Sequence, residues 1–346
     1  MKLRACIILF ILLSPALFAG SNDMSRDDCK LLAQTYPPEK LQQLILPRSD
    51  WKPFPAVSHP EGLGKIPAIV RETHIELAEQ QLSEEWKHFP ATVFLDYVRN
   101  GNRSRYQKLS FGRRKKLANF VLAELFERKG RFMDQIVNGI WAVCEESFWG
   151  VPAHLGSQEA GPGLPDVNDP YVDLFAAETG AMMAWIHYLL KPQLDAINPL
   201  ITERMVCETR RRIIDPYLAH EDWGYMGFNW RNRTGYVEPV NNWNPWINSN
   251  VLTCALLLED DPQKRLKLIH KCMDSIDNFL APYPADGGCD EGPSYWNRAA
   301  GSLYDFLELL YSASDGRIDI FDQPLIKNMG SYIYKTSISQ DRKSVV

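Results

Sequence analysis

Apolar residues recur every three or four positions through most of the chain. Leu117, Phe120, Val121, Leu125 and Phe126 form one such stripe; Phe132, Ile136, Ile140, Val143 and Cys144 form another. This is the spacing of one buried helix face. It predicts further helices over 172–190, 199–214, 246–257, 262–280, 294–311 and 323–336. Asn198-Pro199 and Asp261-Pro262 read as helix starts, with a capping side chain and proline in the first turn. No convincing run of alternating strand positions interrupts the series. The loops over 150–170, 223–245 and 281–293 are rich in Gly, Pro, Asn and Trp. Helices alternating with long loops predict stacked helical hairpins. Closed into a ring, such hairpins gather their loops at one end, where a cleft can form. The expected fold class is all-α, an incomplete (α/α) toroid.

The two ends of the chain read differently. Lys2 and Arg4 precede an apolar run over 5–19 that falls short of the roughly 20 residues a spanning helix needs. Residues 1–20 are therefore expected to be a secretory signal peptide, with a secreted or periplasmic product and no stable membrane insertion after cleavage. The final hexapeptide, Asp341-Arg-Lys-Ser-Val-Val346, matches one reading frame of a common sequencing adapter. It is expected to be a non-native tail, so that residues 21–340 form the toroid domain.

The 346 residues are 45% hydrophobic and 23% charged, which excludes collagen-like and wholly disordered classes. The net charge of −5 gives no general attraction to nucleic acid or an anionic membrane. Apart from Cys6, the cysteines are far apart, unlike a small disulfide scaffold. Cys207, Cys254 and Cys272 lie among helical apolar residues and read as buried free thiols. Without a CxxC, an HExxH or a dense His/Cys cluster, no metal or other cofactor is expected in this chain. The basic runs Arg113–Lys116 and Arg210–Arg212 read as solvated helix faces.

Eight of the ten tryptophans fall between Trp141 and Trp296, around three loop-to-helix junctions. The first runs Trp141-Ala-Val-Cys-Glu145-Glu146-Ser-Phe-Trp149-Gly-Val-Pro-Ala-His154, with Trp141, Glu145 and Trp149 expected on one helical face. The second is Asn241-Asn242-Trp243-Asn244-Pro-Trp246. The third is Asp286-Gly-Gly-Cys-Asp-Glu291-Gly-Pro-Ser-Tyr295-Trp296-Asn-Arg298. Together they resemble the heparinase II/III-like family of polysaccharide lyases over roughly 110–336.

The resemblance implies a helical toroid followed by a large β-sandwich domain, which is expected to be missing from this sequence; a structural metal would belong to that domain. It also implies β-elimination on an acidic, uronate-containing polysaccharide, leaving a 4,5-unsaturated sugar. Such a lyase must neutralise the uronate carboxylate, remove the C5 proton and protonate the oxygen leaving C4. Asn242, with Asn241 beside it, suits the first task because an amide can hydrogen-bond a carboxylate. Tyr295 stands where the family places its catalytic tyrosine, and Arg298, one turn on, is expected beside its phenol.

One position departs from the pattern: relatives that pair Asn with His read Asn-Asn-His, whereas Trp243 follows the asparagines here. The second proton-transfer group is then His154, or Tyr295 in both roles, or a residue outside this chain. Trp149, Trp243 and Trp246 can stack on sugar faces or pack in the core. Glu146 and Glu291 are candidate substrate contacts or helix caps, and Arg231 is a candidate glycan contact. Two rivals stand beside the lyase: a glycoside hydrolase using paired carboxylates among Glu146, Asp286 and Glu291, and a non-catalytic glycan-binding protein.

Overall fold

The computed structural model describes residues 30–228 and 239–336. The expected signal peptide, Arg231 and the terminal hexapeptide lie outside the described residues. Those residues form twelve α-helices: α1 (Pro38–Leu44), α2 (Ala68–Gln81), α3 (Ala91–Asn100), α4 (Ser104–Glu127), α5 (Met133–Cys144), α6 (Leu174–Ile197), α7 (Pro199–Thr209), α8 (Asp215–Ala219), α9 (Trp243–Leu258), α10 (Pro262–Leu280), α11 (Ser302–Ala313) and α12 (Pro324–Lys335). Among the described residues there is no β-strand, only an isolated bridge between Ala56 and His59. The all-α class is therefore observed. No helix among them is long and apolar enough to cross a membrane.

Two predicted starts form as read. The Asn198 side chain accepts from Leu200 N at 3.0 Å, and Asp261 accepts from Gln263 N and Lys264 N at 2.9 and 3.0 Å. Each satisfies amide groups that the first turn of a helix leaves without partners. Several boundaries move. α6 runs on through Pro192 to Ile197, and α9 begins at Trp243, three residues early. The helix expected from 294 starts as turns and a π-helical segment, Asn297–Gly301, before α11. Another π-helical segment, Arg210–Ile214, joins α7 to α8. Helices α1–α3 were not anticipated. α2 buries only Ala78, so it shows little of the stripe on which detection depends.

α9 lies at the centre, packed against α6, α10 and α11. Nearly every residue from Asn244 to Leu258 is buried, which explains an apolar pattern around the whole helix rather than on one face. Gly180 of α6 permits this packing: a Cβ there would stand 2.8 Å from Ile213 Cγ1 and 3.1 Å from Cys254 Sγ. Cys254 and Cys272 are buried free thiols, and burial pushes the Cys272 thiol up to about 12. Cys207 corrects its sequence reading, because it is exposed on α7.

The start of the described chain is tied to α10. Asp277 accepts from Leu32 N at 3.0 Å and Ala33 N at 2.8 Å. Burial pushes its carboxyl up to about 6, against the two amides that favour its charge.

Candidate functional site

The first motif is held from behind by the residues read as solvated cations. Glu146 is buried and receives Arg113 Nη1 at 2.9 Å and Arg114 Nη2 at 2.8 Å. Arg114 also donates to Thr179 Oγ1 at 2.7 Å and Trp149 O at 3.2 Å. Burial opposes the charge of Arg114, yet Glu146 outweighs it and the guanidinium pKa rises. For Arg113 burial prevails and the pKa falls. Lys116 is buried and donates to Glu84 O at 2.6 Å. From the second run, Arg212 donates to Ser147 O at 3.2 Å and Cys144 O at 3.3 Å. Arg113, Arg114, Lys116 and Arg212 thus act as tertiary fasteners, whereas Lys115 and Arg211 are exposed as read, Arg211 pairing with Glu208 three residues before it. The acceptors that the four fasteners reach on other segments are not revealed by a charge count along the chain.

The expected helical face of Trp141, Glu145 and Trp149 does not form, because α5 ends at Cys144. Trp141 and Glu145 instead share Arg204, which lies 4.3 Å over the indole and 2.8 Å from the carboxylate. Trp149 is 1% exposed and donates its indole N–H to Val143 O at 2.9 Å. It packs as core and offers no open ring face to a sugar. Glu146, enclosed by its arginines, is likewise not presented to a ligand, which removes one carboxylate from the hydrolase reading.

Beyond Trp149 the chain folds around Asp173, a fully buried residue. Its Oδ1 caps α6, accepting from Phe175 N at 3.0 Å and Ala176 N at 2.7 Å. Its Oδ2 accepts from Val151 N at 3.2 Å and meets His154 Nδ1 at 2.6 Å. A Cβ on Gly150 would stand 2.5 Å from the carboxylate oxygens, so only glycine lets the carboxylate sit under this turn. The His154 ring stacks on Phe175, 7° from parallel, and lies against Trp243 with ring centroids 4.6 Å apart.

Trp243 belongs to the second motif, so this contact joins the first two junctions. Asn241 is exposed and its side chain accepts from Trp243 N at 3.1 Å. Asn242 is 4% exposed and donates from Nδ2 to Glu291 Oε2, joining the second junction to the third. Trp246 is also buried; its indole N–H donates to Glu178 Oε1 at 2.8 Å.

Tyr295 stands four residues beyond Glu291, in a turn rather than a helix, and is 50% exposed. Among the described residues its hydroxyl has no hydrogen-bond partner. Arg298 does not take the expected place beside it. Its guanidinium lies 3.9 Å over Trp246 and its Nη1 is 3.1 Å from Glu178 Oε1. Trp296 is anchored the other way, donating to Met329 O of α12 at 2.8 Å.

A cleft of about 800 Å³ opens beside this cluster, lined in part by Trp246, Arg298, Glu178, Trp185, Asp305 and Glu308. Burial, followed by the neighbouring Glu308, pushes the Asp305 carboxyl up. His154, Asn242 and Tyr295 are not part of its lining; Trp246 and Arg298 connect it to the motif cluster. Asp173 and Glu178 were missed as site residues. Asp173 carries a readable signal, an acid directly before the apolar start of α6. Glu178 is ordinary in sequence and acquires its place only through Trp246 and Arg298. The chain matches no family model and no curated protein.

Proposed function

We propose that this protein is a polysaccharide lyase of the heparinase II/III-like type, its helices arranged as an incomplete (α/α) toroid with the three junctions at one rim. The substrate class is an acidic, uronate-containing polysaccharide met outside the cytoplasm, and the reaction is β-elimination to a 4,5-unsaturated product. One observation carries the reading. Asn242 is hydrogen-bonded to Glu291, four residues before a half-exposed Tyr295 whose hydroxyl is free among the described residues. An amide for the uronate carboxylate and a phenol for proton transfer are thus carried by interlocked loops.

Each role follows from the chemistry of the group. Glu291 occupies one N–H of the Asn242 amide and orients the other, while Asn241 adds an exposed amide beside it. Hydrogen bonds to the uronate carboxylate spread the charge that develops when the C5 proton leaves. The Tyr295 hydroxyl supplies the proton for the C4 oxygen. Arg298 and Trp246, linked through Glu178, form a charged and aromatic wall for the neighbouring sugar.

The test follows ultraviolet absorbance of the unsaturated product with heparan sulfate, alginate, chondroitin sulfate and polygalacturonate. Product is expected from at least one glycan, and Tyr295→Phe should cut its rate by about 10²-fold or more. Absence of unsaturated product from all four overturns the reading.

A further inference from the structure

The arrangement around His154 makes the imidazole a directed group. Asp173 Oδ2 already accepts from Val151 N, and Asp173 Oδ1 accepts two amides at the start of α6. A carboxylate held by three backbone N–H groups acts as an acceptor toward the ring as well. His154 therefore donates from Nδ1, and the neutral ring keeps its lone pair on Nε2. Among the described residues Nε2 has no hydrogen-bond partner, and the His154 side chain keeps 11% of its surface exposed. Phe175 on one side and Trp243 on another limit rotation of the ring. Gly150 leaves room for the carboxylate that orients it.

This location bears on the departure at Trp243. The residue following Asn242 is not an imidazole, but its indole packs directly against one. We propose that His154 is the second proton-transfer group of the site, delivered from the first junction, and that Asp173 is the positioning residue that holds its reactive tautomer. The inference rests on the lyase reading and narrows it. Nε2 of His154 takes the C5 proton, and the electron pair of that bond becomes the C4–C5 double bond. The C4–O bond breaks, and the departing oxygen takes the proton of the Tyr295 hydroxyl. Imidazolium and phenolate are left, and a proton passing between them through water restores both groups. No oxidant, metal or added reactant is needed for the balance.

Three variants of the full chain test this, using whichever of the four glycans the wild type cleaves fastest. His154→Ala should lower kcat by about 10²- to 10⁴-fold, with partial recovery on adding free imidazole. Asp173→Asn should lower kcat more than it raises KM, because an amide can present Nδ2 to the ring and favour the opposite tautomer. Nitrogen-15 NMR of the imidazole should show hydrogen on Nδ1 in the wild type and on Nε2 in Asp173→Asn. Since Asp173 also caps α6, its variant is scored only where circular dichroism matches wild type. His154→Ala keeps that cap and decides the matter alone if Asp173→Asn misfolds. Wild-type kcat in His154→Ala, or hydrogen on Nε2 in the wild type, overturns the proposal. If Tyr295→Phe abolishes product while His154→Ala retains it, the lyase reading stands and this inference fails. If the wild type forms no product from any glycan, both fail.

Discussion

His154 and Tyr295 belong to the same cluster of loops but are supported in opposite ways. Behind His154 stand a carboxylate fixed by three backbone amides, a Glu146 enclosed by two arginines, and Arg212 bonded to carbonyls of the same loop. Tyr295 stands on successive turns, and its hydroxyl is unpartnered among the described residues. Most of the ion pairs of the first region are shielded from water, and such pairs enforce one geometry at a large desolvation cost. The second region has little of this support. A group that depends on one tautomer benefits from the first kind of construction. On the proposed lyase reading, a phenol that must reach a polymeric glycan is served by the exposure of the second.

The largest expected effect breaks the supported side. Glu146→Gln leaves two buried guanidinium groups without their counter-charge and should cost about 3–5 kcal/mol in urea unfolding. A cost below about 1 kcal/mol would show that the two regions differ less than their contacts imply.

Asp277 supplies a control outside both regions. Its carboxyl is near 6 in the folded protein against an ordinary value of 3.8, so folding disfavours the ionised form. Wild-type stability from this group is therefore lost as pH rises from 3.8 toward 6, and changes little above that. Asp277→Asn cannot ionise, so its stability relative to wild type should rise by about 3 kcal/mol across that window. A flat difference between pH 4 and 7, measured by urea unfolding, would count against the assigned burial.

Gly150→Ala sharpens the comparison within the first region. The added methyl meets the Asp173 carboxylate and should cost about 1–3 kcal/mol. Activity should fall further than the stability loss explains, because the same carboxylate orients His154. Equal activity at a temperature where the variant remains folded would separate the two residues. The smallest effect belongs to the exposed side: Tyr295→Phe should shift stability by less than about 0.5 kcal/mol while removing most lyase activity. A large stability loss would mean that the phenol packs as structure after all.

Much of the helical framework was legible because its signals are local. Asn198 and Asp261 cap helices whose first amides lie two or three residues away, and the stripes of α4 and α5 need no distant partner to be seen. Where the local signal was weak the reading failed, as for α2, which buries a single residue. The three junctions were also legible as unusual clusters of Trp, Asn, Glu and Tyr. Their internal geometry was not. Trp149 read equally as a sugar platform or as core, and the turn after α5 decided for core, while Arg298 looked like the partner of Tyr295 until Trp246 and Glu178 took it.

What the sequence by itself determined is therefore the all-α class, the places where several helices begin, and the segments where chemistry-bearing residues concentrate. Hydrophobic periodicity and capping act over one or two turns, so the order of residues is enough to express them. Only the tertiary structure decided which charges are solvated and which are fasteners, that Asn242 meets Glu291, and that His154 leans on Trp243 with Asp173 behind it. Those outcomes depend on distance in space between segments far apart in the chain. The dehydration and pairing of their polar groups become defined only when the segments meet.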